Sequence, residues 1–311
     1  MKQPLAAIVG PTAVGKTSLS LEAARMLDGE ILSCDSMQIY QDMNIGTAKA
    51  TQEEQTAAVH HLIDICSPLE SFSAADYQRK AYEAIEDVSS RGRLPILVGG
   101  TGLFYQAVVD RYDFSPDFKS AGLREKWRIL YEEKGRDYII GQLRQKDPSY
   151  LEKIGTNDMK RALHALEVCE AAGKPFSQTM QQKKDTWKLA VIGLYMPREQ
   201  LYQQINKRVE NMVEQGLVEE VEELRRKGLS YHHQSMQAIG YKQVLYYLDG
   251  LITKDEMIAD IQKESRRYAK RQYTWFKKDS RIFWIHTGSG LDQKRISLIV
   301  REYIEKVFAF L

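Results

Sequence analysis

An apolar run at residues 5–9 meets Gly10 and continues as "GPTAVGKT" to Thr17. The spacing G-x-x-x-x-G-K-[ST] constrains the fold more than any other feature of the chain, because it works only between a buried strand and the start of a helix. Glycines let the backbone curl so that successive N–H groups point inward, and the helix start adds a partial positive charge. Lys16 supplies a point charge, and the Thr17 hydroxyl can ligand a magnesium ion. Gly10, Pro11, Thr12, Ala13, Val14, Gly15, Lys16 and Thr17 therefore form a candidate phosphate cradle. For such a motif standing alone, ATP or GTP is the default ligand.

Four further runs, at residues 30–34, 94–98, 189–195 and 282–285, have the character of buried strands and are separated by helical patterns. That alternation predicts an α/β fold with a parallel sheet and flanking helices. The first helix should begin near Lys16, bury Leu19, Ala23, Met26 and Leu27, and end at Gly29. Ser73 and Asp76 have capping-box spacing for a helix that Gly92 can close. Residues 112–185 are charged and without a convincing strand, so they read as a helical insertion. The expected division is 1–112 with 187–311 as one unit and 113–186 as the other.

The 311 residues carry a net charge of only +2, so no polyelectrolyte partner is implied by the whole chain. Cys34, Cys66 and Cys169 include no C-x-x-C pair, which argues against a disulfide framework or a zinc ribbon. His60-His61 and His232-His233 are adjacent pairs and lack the i, i+4 spacing of a zinc helix. The short apolar run near the start is too brief for a leader or a bilayer span, and the expectation is a soluble cytoplasmic protein.

Asp35 follows the second strand directly. Ligands of open parallel sheets lie outside the carboxyl ends of the strands, so Asp35 should stand near the cradle. The third strand ends in Gly99-Gly100-Thr101-Gly102. Those glycines suit either close approach of a ligand or a plain strand-to-helix turn. An ordinary P-loop ATPase would place an acid at such a strand end to hold magnesium; glycine stands there instead, and nucleotide hydrolysis is poorly supported. Residues 263–281 hold eight Lys or Arg against two acids, interleaved with Tyr268, Tyr273, Trp275 and Phe276. A solvated helix face is the ordinary meaning of such a run, but its local excess favours a nucleic-acid backbone. Lys160 and Arg161 follow the helix-capping pair Asn157-Asp158. Cations are unfavourable at that end of a helix, which hints at an anionic partner.

Eight blocks, in order, give the chain a family resemblance: "GPTAVGKT", "DSMQIYQDMNIGTAK", "HHLIDI", "FSAADY", "LVGGTGLFYQA", "NDMKRALHALEV", "QAIGYKQ" and "RRYAKRQYTWF". Together they resemble the tRNA dimethylallyltransferases, prenyltransferases that modify adenosine 37 beside the anticodon. Asp42, Val59 and His164 depart from the usual Gly, Pro and Arg of that pattern. The resemblance implies a P-loop NTPase-like core and dimethylallyl transfer from its diphosphate to N6 of the adenine. On this footing the cradle, with Arg208 and magnesium at Thr17, holds a diphosphate that leaves. Asp35 would be the general base, with Thr101 beside the reacting centre and Lys16 on the leaving group. Asp35, Ser36, Met37, Gln38 and Thr101 would meet the flipped base. Leu123, Met159, Lys160, Arg161, Ala162, Leu163, Gly240, Tyr241, Lys242, Gln243, Arg266, Arg267 and Arg271 would grip the RNA. The implied partners are tRNA and dimethylallyl diphosphate, with no membrane, and the implied enzyme is a monomer. A small-molecule kinase and an RNA-stimulated ATPase are the rival readings of the same loop.

Overall fold

The computed structural model describes residues 2–112, 114, 121–179, 186–288 and 292–309. Residue 113, where the helical insertion is expected to begin, lies outside them. The chain divides into two compact units, Met1–Val109 with Asp185–Leu311, and Asp110–Lys184.

The larger unit is built on six parallel strands: β1 (Gln3–Val9), β2 (Gly29–Cys34), β3 (His60–His61), β4 (Leu94–Gly99), β5 (Trp187–Tyr195) and β6 (Ile282–His286), in the order β3-β2-β4-β1-β5-β6. Its helices before the insertion are α1 (Lys16–Met26), α2 (Gln52–Ala57), α3 (Ala74–Ser90) and α4 (Gly102–Val109). The insertion carries α5 (Ala121–Lys146), α6 (Pro148–Ile154) and α7 (Met159–Ala172). After it come α8 (Arg198–Glu214), α9 (Leu217–Arg226), α10 (Tyr241–Leu248), α11 (Lys254–Phe276) and α12 (Gln293–Ala309).

The parallel sheet explains why its long strands are largely apolar rather than alternating. Leu5, Ala7 and Val9 pack to one side with α3 and α4, while Ala6 and Ile8 pack to the other with α1, α8 and α12. Both faces are covered, which favours apolar residues at successive positions; the buried Glu30 and Ser33 of β2 are exceptions. A third cluster, around Val209, Val221, Tyr241 and Ile261, joins α8, α9, α10 and α11. The insertion has its own core of Trp127, Ile139, Leu143, Leu166 and Phe176.

The α/β class and the five long strands are as expected, but two local expectations need correction. β3 is a sixth strand, two residues long, in which His60 and His61 pair with Ile31 and Leu32. Gly29 does not end α1. Leu27 caps that helix, Asp28 takes the left-handed turn at φ 46°, and Gly29 opens β2. A Cβ on Gly29 would lie 2.6 Å from the Ile96 side chain, so the glycine is kept for strand packing. Ser73 and Asp76 do form a capping box on α3, and Gly92 follows its C-cap at φ 72°.

Candidate active site

The carboxyl ends of β1, β2 and β4 open onto one cleft of about 1250 Å³. Register brings them level, since Val9 pairs with Gly99 and Gly99 with Cys34. Thr12, Ala13, Gly15, Lys16 and Thr17 line the cleft from β1, and Asp35, Ser36, Met37 and Gln38 from β2. Arg208 enters from α8, Gly240 from the start of α10, and Tyr268, Arg271 and Gln272 from α11. A pocket of this size holds more than one small ligand.

The phosphate loop has the backbone its sequence calls for. Ala13 and Gly15 take φ of 64° and 97°, and Gly15 is the N-cap of α1. The first N–H groups of a helix have no partner within it and are directed at the loop. Lys16 Nζ donates to Gly10 O at 3.0 Å and Pro11 O at 2.7 Å, which folds the side chain back over its own loop. Burial lowers the Lys16 pKa to about 7; the Arg208 guanidinium lowers it too, while the Asp35 carboxylate opposes both. Burial likewise pulls Arg208 down, and Asp35 again opposes. Two cations short of counter-charge therefore share one cleft with a single nearby carboxylate. An anionic ligand would relieve both.

Asp35 Oδ1 accepts the N–H of Met37 at 2.9 Å, which holds the carboxylate at the mouth of β2. Ser36 N donates to Thr101 Oγ1 at 3.0 Å, and the Tyr268 phenol stands close to the Thr101 side chain. Thr101 is not among the residues that line the cleft. Its hydroxyl fixes the segment that carries Asp35. Burial raises the Tyr268 pKa to about 12, with Asp35 adding to the effect, so the phenol stays protonated.

Several expected RNA contacts have other duties. Gln38 accepts from Ser33 Oγ at 2.8 Å and donates to Thr47 O and Ala48 O, so its amide braces the following loop. Tyr241 is fully buried, and its hydroxyl donates to Glu220 at 2.5 Å. Gln243 is buried, where it accepts from Gly240 N and donates to Asp260. Arg266 donates to Asn206 Oδ1 at 2.6 Å, and Arg267 pairs with Glu264. Lys242 lies over the Tyr246 ring. Arg271 remains exposed on the cleft wall, over the Tyr268 ring.

Leu123, Met159, Lys160, Arg161, Ala162 and Leu163 belong to the helical unit. Asp158 caps α7, as its position in the sequence suggests, and Lys160 and Arg161 are exposed in the first turn. Ala162 is fully buried in the core of that unit, and Met159 and Leu163 pack against the same core.

Three supports were not read from the sequence. Glu220 accepts the N–H groups of Asn44, Ile45 and Gly46 and holds the loop that follows Asp35. Lys49 is buried against Tyr40 O, Asn44 and Asp64 beneath the same loop. Gln272 reaches the phosphate loop itself. Each is a polar residue in an otherwise apolar helical stripe or loop, and that signal alone names no partner. Among the described residues, no three His, Cys, Asp or Glu side chains form a metal site.

A protein-family comparison matches residues 38–279 to the IPP transferases. A tRNA dimethylallyltransferase of Syntrophomonas wolfei is 51% identical over 98% of both chains, and that of Carboxydothermus hydrogenoformans is 44% identical over 97% of this chain and 98% of its own. Among solved structures, the full-length tRNA isopentenylpyrophosphate transferase of Bacillus halodurans superposes with a TM-score of 0.74 at 40% identity, covering 99% of each chain. A eukaryotic dimethylallyltransferase acting on tRNA reaches 0.81 at 27% identity, over 98% of this chain and 80% of its own. With a phosphate loop, an opposed carboxylate and full-length relatives in agreement, the chain belongs to the tRNA dimethylallyltransferase (IPP transferase) family.

Proposed function

We propose that this protein transfers a dimethylallyl group from dimethylallyl diphosphate to N6 of adenosine 37, beside the anticodon of tRNA. One observation carries the reading: Lys16 and Arg208, both depressed by burial, share a cleft with the Asp35 carboxylate. In the reaction, the bond between the prenyl C1 and the diphosphate oxygen breaks and a C1–N6 bond forms. Charge grows on the departing oxygen, where loop amides, Lys16 and Arg208 stabilise it. Adenine N6 is a weak nucleophile because its lone pair is delocalised into the ring. Asp35 accepts one N6 proton as the bond forms, the role of a general base. The base must leave the anticodon loop stack to reach the cleft, at a cost of a few kcal/mol. Exposed cations on α11 and α7, among them Arg271, Lys160 and Arg161, offset that cost at the RNA backbone.

Magnesium fits this cleft as a partner of the diphosphate. Thr17 is exposed on the cleft wall in the first turn of α1, and its hydroxyl is a hard oxygen donor. Among the described residues, no three acidic, His or Cys side chains come together as a metal cage. Thr17 would hold the ion together with diphosphate oxygens and water, and the ion would neutralise charge on the leaving group. In the same reading the enzyme is a cytoplasmic monomer. No helix among the described residues is long and apolar enough to cross a membrane.

The test is direct. Purified protein, magnesium, labelled dimethylallyl diphosphate and unmodified tRNA should put label into N6-isopentenyladenosine after nuclease digestion. ATP-dependent phosphorylation of a metabolite, or RNA-stimulated ATP hydrolysis with no modified nucleoside, would overturn the proposal.

A further inference from the structure

Helix α11 carries a stripe of aromatic and amide side chains with Arg271 at its border. Tyr268, Gln272, Trp275 and Phe276 follow the i, i+4, i+7, i+8 spacing of a single stripe. Tyr268 stands close to Thr101, and Phe276 meets Tyr105 edge-on at 5.6 Å between centroids. The Trp275 ring lies where a Cβ on Gly102 would be, at 2.3 Å. Gln272, only 5% exposed, sits in the middle of this stripe.

Its amide joins two loops. Thr12 N donates to Gln272 Oε1 at 2.9 Å, and Gln272 Nε2 donates to Gly100 O at 3.0 Å. Both partners are backbone groups, one donor and one acceptor, and a primary amide offers both functions at one tip. Gly100 makes room for it, since a Cβ there would lie 2.1 Å from Nε2. The two loops lead to the two halves of the chemistry. Thr12 belongs to the loop that carries Lys16. Gly100 precedes Thr101, whose hydroxyl holds Ser36 N beside Asp35. Thr287 Oγ1 donates to Val14 O at 3.1 Å and anchors the phosphate loop independently of α11.

We propose that Gln272 is a positioning residue that sets the spacing between the phosphate loop and the Gly99-Gly100-Thr101-Gly102 turn, and so between the leaving diphosphate and the Asp35 carboxylate. The proposal rests on the transfer reaction above. It makes α11 the part that aligns nucleophile activation with departure of the leaving group.

Two variants separate its bonds. Gln272→Met keeps the length and removes both. It should raise KM for dimethylallyl diphosphate about 10-fold and lower kcat about 10-fold, with tRNA affinity within about twofold and the melting temperature little changed. Gln272→Glu keeps the acceptor for Thr12 N–H and loses the donor to Gly100 O, so KM should stay near wild type while kcat falls. Burial raises the pKa of the new carboxyl. As pH is lowered from about 8 to about 6, the carboxyl protonates and donates to Gly100 O. The kcat ratio of Gln272→Glu to wild type should then rise, while that of Gln272→Met stays flat. A wild type that prenylates tRNA while Gln272→Met keeps both constants within about twofold overturns the positioning role alone. So does a Gln272→Glu ratio that is flat with pH, and this variant decides should Gln272→Met fail to fold. A wild type that prenylates no tRNA overturns the transfer reaction, and the role of Gln272 in it falls as well.

Discussion

Two glycine-rich turns flank Asp35, and Gly15 of the first serves a different purpose from the glycines of the second, although Gly10, with an added Cβ 2.7 Å from Leu194 O, is crowded as they are. In the phosphate loop, Gly15 at φ 97° has nothing within 4 Å of an added Cβ, so its neighbourhood is open cleft. Glycine there is a matter of backbone conformation, with the space left for a ligand. In the turn after β4, added Cβ atoms would strike Cys34 O at 2.1 Å from Gly99, Gln272 from Gly100 and Trp275 from Gly102. Those glycines admit the protein's own chain. Of the two meanings the sequence allows for Gly99-Gly100-Thr101-Gly102, this crowding accounts for the plain strand-to-helix turn, and Gly99 also lines the cleft. A glycine-rich turn at a strand end therefore indicates crowding or curvature, and only the space around it tells which.

The largest expected effect lies between the two turns. Asp35→Ala should cut the rate of prenyl transfer by about 10²–10⁴-fold, with tRNA affinity nearly unchanged. Equal losses of binding and rate in a filter-binding and turnover comparison would make Asp35 a structural residue. Next is the open turn. Lys16→Ala should weaken inorganic pyrophosphate binding about 100-fold, by analogy with loss of a charged hydrogen-bond donor, without lowering the melting temperature. Calorimetric titration checks it, and unchanged affinity would end the diphosphate assignment. The crowded turn should respond the other way. Gly100→Ala forces a methyl onto the Gln272 amide and should cost about 1–3 kcal/mol, seen as a lower denaturation midpoint. If Gly100→Ala were as stable as wild type and lost only diphosphate affinity, the contrast between the turns would collapse.

What was legible in the sequence follows the same division. Strands β1, β2, β4, β5 and β6 were readable because burial on both faces makes them largely apolar runs, interrupted in β2 by Glu30 and Ser33. β3 escaped because two half-buried histidines carry no period; they are in the sheet because Ile31 and Leu32 offer an edge. His61 also bonds the buried Glu30, which Arg91 holds at a pKa of about 2, with His61 assisting, so the pair is structural. The cradle and Asp35 were readable because local spacing and strand order alone place them. Gln272 was not, because its partners Thr12 and Gly100 lie far away along the chain and nothing local marks an amide in an apolar stripe. Tyr241 and Gln243 were assigned to RNA by family position, yet packing of α10 against α9 and α11 turns both side chains inward.

The smallest effect concerns pH and separates ligand binding from stability at a single residue. Lys16 titrates near 7 in the ligand-free protein, against an ordinary value of 10.5. A bound diphosphate favours the charged amine, so binding should take up a proton above pH 7. Affinity should be level below that point and fall as pH rises through it, by at most about tenfold per pH unit for one proton. Stability of the ligand-free protein should move oppositely. Between 7 and 10.5 the unfolded chain holds the Lys16 proton and the folded chain does not, so this group makes stability rise with pH across that window. Diphosphate has its own titration, and the ratio of wild type to Lys16→Met removes it. A ratio that is constant with pH would mean that Lys16 is already charged in the empty loop, held by Gly10 O and Pro11 O alone. The open turn would then be as fully satisfied by its own chain as the crowded one.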